Sequence, residues 1–126
     1  MKTWLFLGAL CGALAVLLGA FAAHGLSARI PAHALQTFET GARYQMYHAL
    51  AMGLAALAMR GDARSRARLA AIAFLAGIVL FSGSLYLLAL TGITALGMIT
   101  PLGGLAFLAG WGLLAAAALK LPTEQS

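Results

Sequence analysis

Charged residues are scarce in this chain, and acidic residues are nearly absent. Charged residues make up 9% of the 126, and the carboxylates are Glu39, Asp62 and Glu124 alone. A soluble domain carries about 25% charged residues, so the composition excludes that class. Paired carboxylates, a Gly-x-Ser-x-Gly elbow and a phosphate-binding glycine loop are also missing from the sequence, and we therefore expect a protein that is not an enzyme.

Cysteine is limited to one residue. Cys11 lies within an apolar stretch, so the chain can form neither an internal disulfide nor a metal site built from several thiolates. The sequence also contains no Cys-x-x-Cys-His motif for haem attachment. We therefore expect neither a metal nor a cofactor.

Long hydrophobic runs dominate what remains. Hydrophobic residues account for 63% of the chain, and they form four stretches at about residues 4–23, 42–59, 69–90 and 102–119. Each stretch is near the ~20 apolar residues needed to cross a ~30 Å hydrocarbon core. The pattern predicts an all-α fold, an integral membrane four-helix bundle in which residues 1–126 form a single transmembrane domain.

The positive charges are concentrated in the break between the second and third stretches. Four arginines lie there, at Arg60, Arg64, Arg66 and Arg68. Lys2 and Lys120 flank the outer ends of the first and last stretches. All these charges fall on one side of a bacterial inner membrane only if the chain crosses it four times, which predicts cytoplasmic termini. We expect the arginines to contact the anionic head groups of membrane lipids rather than nucleic acid.

The first stretch has a second interpretation, as a secretory signal. Lys2 precedes an apolar run, and Ala20-Phe21-Ala22 resembles a cleavage site. The run is longer than the usual apolar region of about 7 to 15 residues, and it carries glycines suited to helix packing. We therefore expect the first span to be retained.

Each predicted span carries small residues along one face at helical spacing. Such faces let helices approach closely in a membrane, where no hydrophobic drive brings helices together. The predicted helix-packing positions are Gly8, Gly12, Gly19, Gly77, Gly103 and Gly110. The same faces would serve equally within a bundle or between the copies of a homo-oligomer.

A short amphipathic segment connects the first two spans. Pro31 is well placed at the first turn of a helix, and residues 32–40 have an apolar side opposite a polar one. We predict an interfacial helix at about residues 32–40, with Gly41 allowing a bend into the second span.

Polar residues enter the outer half of the predicted bundle. The second span opens with Arg43-Tyr44-Gln45-Met46-Tyr47-His48, and ionisable groups at membrane depth are costly enough to indicate a partner or a function. We predict a candidate polar or binding cluster that comprises His24, Arg43, Tyr44, Gln45, Tyr47, His48, Ser84 and Tyr86.

Structural interpretations compete with a binding role for these residues. Tyrosines form aromatic belts at membrane interfaces, and Arg43 near a helix end can reach the head groups. A lone histidine such as His48 more often bonds a neighbouring helix than a ligand. His24 and His48 together would need further metal or haem ligands, and the sequence offers only Glu39 nearby.

Four segments form a motif set that runs through nearly the whole chain. They are Gly19-Ala-Phe-Ala-Ala-His24-Gly25-Leu26, Gly41-Ala-Arg43-Tyr44-Gln45-Met-Tyr47-His48-Ala49-Leu50, Gly83-Ser84-Leu85-Tyr86 and Thr100-Pro101-Leu-Gly103-Gly104. This set resembles the YgdD/YwdK-like family of small bacterial inner-membrane proteins, a domain of unknown function. The resemblance implies a four-span inner-membrane protein of unassigned activity.

Two classes of function remain. The first is a non-enzymatic interaction or assembly protein, whose small-residue faces bind another membrane protein or further copies of the chain. The second is a small-solute, proton or lipid-handling protein, in which Arg43 faces an anionic or carbonyl group and His48 exchanges a proton. We favour the first class, because four spans leave little room for a transport path in a monomer.

Overall fold

Four helical rods make up the computed structural model, which describes residues 1–123. The first rod is α1 (Lys2–His24), and the second is α2 (Ala32–Leu57). The third consists of α3 (Arg64–Gly77), a π-helical segment (Ile78–Ser82) and α4 (Gly83–Thr91), and the fourth is α5 (Thr100–Ala118). No strand is present among the described residues, and the all-α prediction is confirmed.

Short 3-10 turns lie between the rods, at Leu26–Ala28, Gly61–Ala63 and Thr94–Met98. Gly92 ends α4 in the left-handed conformation, with φ of 71°, and its backbone N–H donates to the Leu88 carbonyl at 2.8 Å. Glycine suits this position because it adopts positive φ without a steric penalty from Cβ.

Three of the rods are long and apolar enough to cross a membrane, over Lys2–Ala28, Gly61–Thr91 and Thr94–Ala118. The remaining rod, α2, has 26 residues and is about 39 Å long at 1.5 Å per residue. Polar side chains in its first half lower its hydropathy. α1, α3 and α4 all pack against α2, and ten of its 26 residues are buried, Gln45 and His48 among them.

Residues 32–40 are helical, but they form the first turns of α2 rather than a separate helix. The helix continues through Gly41 without a break. A Cβ atom added at Gly41 would lie 2.8 Å from Cε1 of Tyr86, so this glycine allows a close contact with α4. The expected separation of an interfacial helix from the second span is therefore corrected: the two parts form one helix, α2.

The hydrophobic core is built mainly from alanine. One cluster surrounds the fully buried side chains of Met52 and Phe74, and its other members include Ala51, Ala55 and Ala70. A second cluster, at the other end of the bundle, surrounds Phe38. Small core residues let the helices approach closely, so that each large side chain fills space between several helices.

Glycines mark the closest contacts between α5 and the third rod. The glycines are Gly77, Gly103 and Gly110. A Cβ atom added at any of them would overlap an aromatic residue of the facing helix, which is Phe107, Phe81 and Phe74 respectively. At Gly110 the added atom would lie 2.6 Å from Cδ1 of Phe74, and at Gly103 it would overlap the Phe81 backbone itself.

The three predicted packing glycines of α1 differ from one another. A Cβ at Gly8 would lie 3.0 Å from the Ala49 carbonyl oxygen, which makes this a close contact with α2. A Cβ at Gly12 would make only ordinary contacts, the nearest at 3.8 Å, and one at Gly19 would meet nothing within 4 Å. The space beside Gly19 is empty because this glycine lines an open groove, together with Ala23 of α1 and Arg43 of α2.

Candidate functional site

Gln45 connects three helices through its side-chain amide. Its Nε2 atom donates to the Cys11 carbonyl of α1 at 2.8 Å, and its Oε1 atom accepts from the Tyr86 hydroxyl of α4 at 2.7 Å. Gln45 itself is 5% exposed. Both ends of the amide are therefore used in holding α1, α2 and α4 together.

Two buried serines of the third rod make further contacts. The Ser82 hydroxyl, at the end of the π-helical segment, donates to the Gly41 carbonyl of α2 at 2.7 Å. The Ser84 hydroxyl lies 2.8 Å from the Phe81 carbonyl and 2.6 Å from Oγ1 of Thr100, at the start of α5. The polar groups of the third rod therefore bond neighbouring helices on both sides.

His48 is buried and has a partner at each ring nitrogen. Nδ1 lies 2.7 Å from the Tyr44 carbonyl oxygen, and Nε2 lies 3.1 Å from Nε1 of Trp111 in α5. An indole N–H only donates and a carbonyl oxygen only accepts. The geometry therefore requires a neutral imidazole with its proton on Nδ1 and an unprotonated Nε2 that accepts from Trp111.

Aromatic rings enclose this imidazole. The Phe107 ring stacks on His48 with centroids 3.5 Å apart and planes 7° from parallel. The Phe74 and Trp111 rings meet it at centroid distances of 5.8 Å and 6.0 Å. This packing fixes the ring orientation and excludes water from much of its surface.

The tautomer of His48 is directly testable. In a two-bond 1H–15N correlation spectrum of the protein in detergent, we expect His48 to give the pattern of a protonated Nδ1 and a bare Nε2. Trp111→Phe removes the donor to Nε2 and is expected to change this pattern. A doubly protonated imidazolium in the unaltered protein would contradict the hydrogen bonding described above.

The remaining candidate residues lie outside this buried network. Arg43, Tyr44 and Tyr47 are exposed, and the Arg43 guanidinium donates to Thr40 Oγ1 at 3.2 Å. His24 is exposed at the end of α1, whereas His48 is buried in α2. Within residues 1–123, His, Cys, Asp and Glu form no group of three or more that could hold a metal ion.

An open groove, which we call the aromatic groove, runs beside His48 between α2 and α5. Its volume is about 470 Å³, and its walls include Tyr44, Tyr47, Phe81 and Trp111. Tyr44 is 38% exposed and Tyr47 is 51% exposed, so both rings line its outer side. This surface is almost entirely apolar and aromatic.

Every buried polar side-chain atom among the described residues has a hydrogen-bond partner. An unpaired polar group in a membrane interior would cost several kcal/mol, so complete pairing stabilises the bundle. The buried members of the predicted cluster therefore hold helices together. Of its exposed members, Tyr44 and Tyr47 line the aromatic groove, whereas His24 and Arg43 do not.

Trp111 is the main site residue that sequence reasoning missed. It follows Phe107 by one helical turn, and an indole N–H in the middle of an apolar span needs an acceptor. The need for an acceptor could therefore have predicted a hydrogen bond from Trp111 to another helix. The contact of Thr100 with Ser84 had no comparable signal, because a threonine before proline is expected to cap a helix.

Comparison with known proteins gives one family. Residues 18–104 match the family described as "Protein of unknown function (DUF423)". The UPF0382 membrane protein YwdK of Bacillus subtilis is 50% identical over 84 residues, which cover 64% of this chain and 67% of that protein. A UPF0382 membrane protein of Haemophilus influenzae is 48% identical over 78 residues, 62% of each chain.

A third relative is the UPF0382 membrane protein SAB0533 of Staphylococcus aureus. It is 45% identical over 81 residues, which cover 64% of this chain and 66% of that protein. The chain thus spans about two thirds of the length of these relatives. No solved structure matches the chain.

Proposed function

The chain belongs to the DUF423 family of membrane proteins of unknown function, and from its geometry we propose that it is a non-enzymatic interaction or assembly protein. In this proposal it binds another membrane protein or further copies of itself within the bacterial inner membrane. The basic segment around Arg60–Arg68 and both termini lie on the cytoplasmic side, in keeping with the positive-inside rule.

One observation carries the proposal: the buried polar side chains use their hydrogen-bonding groups on backbone carbonyls and side chains of the same chain. Gln45 bonds α1 and α4, and His48 bonds Trp111. A site for a polar solute needs donors or acceptors that are free to face it. A proton carrier at His48 would have to break the Trp111 contact at every turnover. Both requirements favour a structural role for these residues.

A surface suited to protein contact lies on the opposite side of α2. We call it the α1–α2 groove; it has a volume of about 290 Å³, and small residues line it, among them Gly8, Ala9, Gly12, Ala13 and Gly53. Ala9 and Ala13 are the exposed members of this set, and such small side chains allow another helix to approach the backbone closely. This surface supports binding of a second helix there.

Site-specific photo-cross-linking in native membranes tests the proposal. A photoreactive amino acid at Ala13, on the exposed wall of the α1–α2 groove, is expected to give a protein adduct of discrete mass. The same amino acid at Leu105, an exposed position of α5, provides the matched control. Adducts of lipid mass alone at Ala13, or equal protein adducts at both positions, would contradict the proposal.

The aromatic groove favours the second candidate function, handling of a lipid or an apolar solute. Its opening beside Tyr47 faces outward from the bundle. Under the assembly proposal, Tyr47→Ala should leave the folded yield and the Ala13 adduct unchanged, because the Tyr47 side chain is exposed. Loss of a bound small molecule in this variant, with the fold intact, would favour the second candidate instead.

A further inference from the structure

An open cleft lies at the basic end of the bundle, where the starts of α1 and α3 meet. Its volume is about 980 Å³, compared with about 470 Å³ for the aromatic groove. Side chains from α1 and α3 form its walls, and Met59, which follows the end of α2, contributes to its lining. The cleft is separate from the buried polar network and from the three grooves described above.

The lining of the cleft changes in chemistry along α3. Arg64 and Ser65 come first, followed by Arg68, Leu69 and Ile72. Arg64 and Ile72 are eight residues apart, which is about 12 Å along a helix. The lining therefore runs from cationic and hydroxyl groups at the membrane surface to apolar groups nearer the hydrocarbon.

Trp4 of α1 forms the facing wall beside this gradient. Tryptophan favours the membrane interface, where its ring meets both head groups and acyl chains. The cleft thus combines apolar side chains with two guanidiniums, and its lining contains one carboxylate, that of Asp62. A free phosphate would satisfy only the cationic part, whereas a phospholipid satisfies both.

The four arginines of this segment are not equivalent. Arg64 and Arg68 are one turn apart and both line the cleft. Arg66 lies 200° around the helix from Arg64 at 100° per residue, and neither it nor Arg60 lines the cleft. General attraction to an anionic surface would use all four arginines alike, because each exposed charge contributes similarly.

We propose that this cleft is a binding site for the head group and upper acyl chains of one anionic phospholipid, with Arg64 and Arg68 facing its phosphate. The site goes beyond the assembly function, with which it shares only the placement of the basic end at the membrane surface. It assigns Arg64 and Arg68 a role distinct from that of Arg60 and Arg66.

Native mass spectrometry of the full chain from nanodiscs tests this site. The nanodiscs contain equal amounts of phosphatidylglycerol and phosphatidylcholine with the same acyl chains. We expect the species with one retained lipid to be enriched in phosphatidylglycerol, and Arg64→Gln with Arg68→Gln to lower that enrichment about tenfold. The charge-matched control, Arg60→Gln with Arg66→Gln, is expected to change it less than about twofold.

Several outcomes would overturn the site. Equal losses in the two double variants would indicate general electrostatic attraction, and displacement of the lipid by excess inorganic phosphate would indicate a phosphate site. Helix content by circular dichroism checks the fold of each variant. If the double variant is unfolded, Arg68→Gln alone carries the test, with an expected loss of about threefold. The cross-linking result at Ala13 is independent of all these outcomes.

Discussion

Gly103→Ala is expected to destabilise the bundle by about 3 kcal/mol or more. The added Cβ would overlap the backbone of Phe81 on the facing rod, and a backbone cannot rotate away as a side chain can. Relief requires α5 and the π-helical segment to separate, which would also strain the packing at Gly77 and Gly110. The measurement is the free energy of unfolding in detergent, followed by circular dichroism.

The neighbouring glycine supplies the control for this prediction. A Cβ at Gly104 would meet nothing within 4 Å, so Gly104→Ala introduces the same methyl group one residue later without a clash. Alanine in a helix interior is favoured over glycine by roughly 0.5–1 kcal/mol, and we expect this variant to be as stable as the parent or slightly more so. Equal destabilisation by the two substitutions would contradict the contact described for Gly103.

Gln45→Leu is expected to destabilise the bundle by about 2–4 kcal/mol. The substitution keeps a similar volume but removes the hydrogen bonds to the Cys11 carbonyl and from the Tyr86 hydroxyl. It leaves the Tyr86 hydroxyl without its acceptor in a half-buried position next to α2. The same unfolding measurement in detergent gives the size of the effect.

A double-mutant cycle separates the hydrogen bond from simple packing. Because Tyr86→Phe removes the hydroxyl that Gln45→Leu leaves without an acceptor, the double variant should be no less stable than Gln45→Leu alone. Tyr86→Phe by itself retains the ring that covers Gly41. Additive effects of the two substitutions would mean that the Gln45 and Tyr86 side chains do not interact.

The bundle itself was readable from the sequence. Long apolar runs determine helices in a membrane, because every backbone polar group there needs an internal partner. The polar start of the second span was also identified from the cost of placing Arg43 and His48 at membrane depth. These inferences depend on composition and on local spacing, which a single sequence contains in full.

Contacts between helices were less predictable. Gly12 and Gly19 share a face with Gly8, yet only Gly8 closely contacts α2. This difference was not predictable, because local spacing gives no information on where two helices diverge. The π-helical segment has no clear sequence signal. Tyr86 of α4 lies against Gly41 of α2, a long-range contact that the glycine alone did not indicate.

The assignment of the polar cluster illustrates the same limit. Cost arguments show that a buried polar group needs a partner, but they do not say whether the partner is a ligand or another helix. For Gln45 and His48 the partners are Cys11, Tyr86 and Trp111 of the same chain. The exposed members, Arg43 among them, were predicted from the same cost of placing a polar group at membrane depth, but their side chains take no part in the hydrogen bonds between helices.

Native mass spectrometry of the protein released from its own membrane in mild detergent distinguishes the assembly function from the handling of a small molecule. We expect an oligomer or a complex with a second membrane protein, with phospholipid as the only small molecule retained. A monomer that carries a non-lipid adduct of defined mass, lost in Tyr47→Ala, would contradict the assembly function.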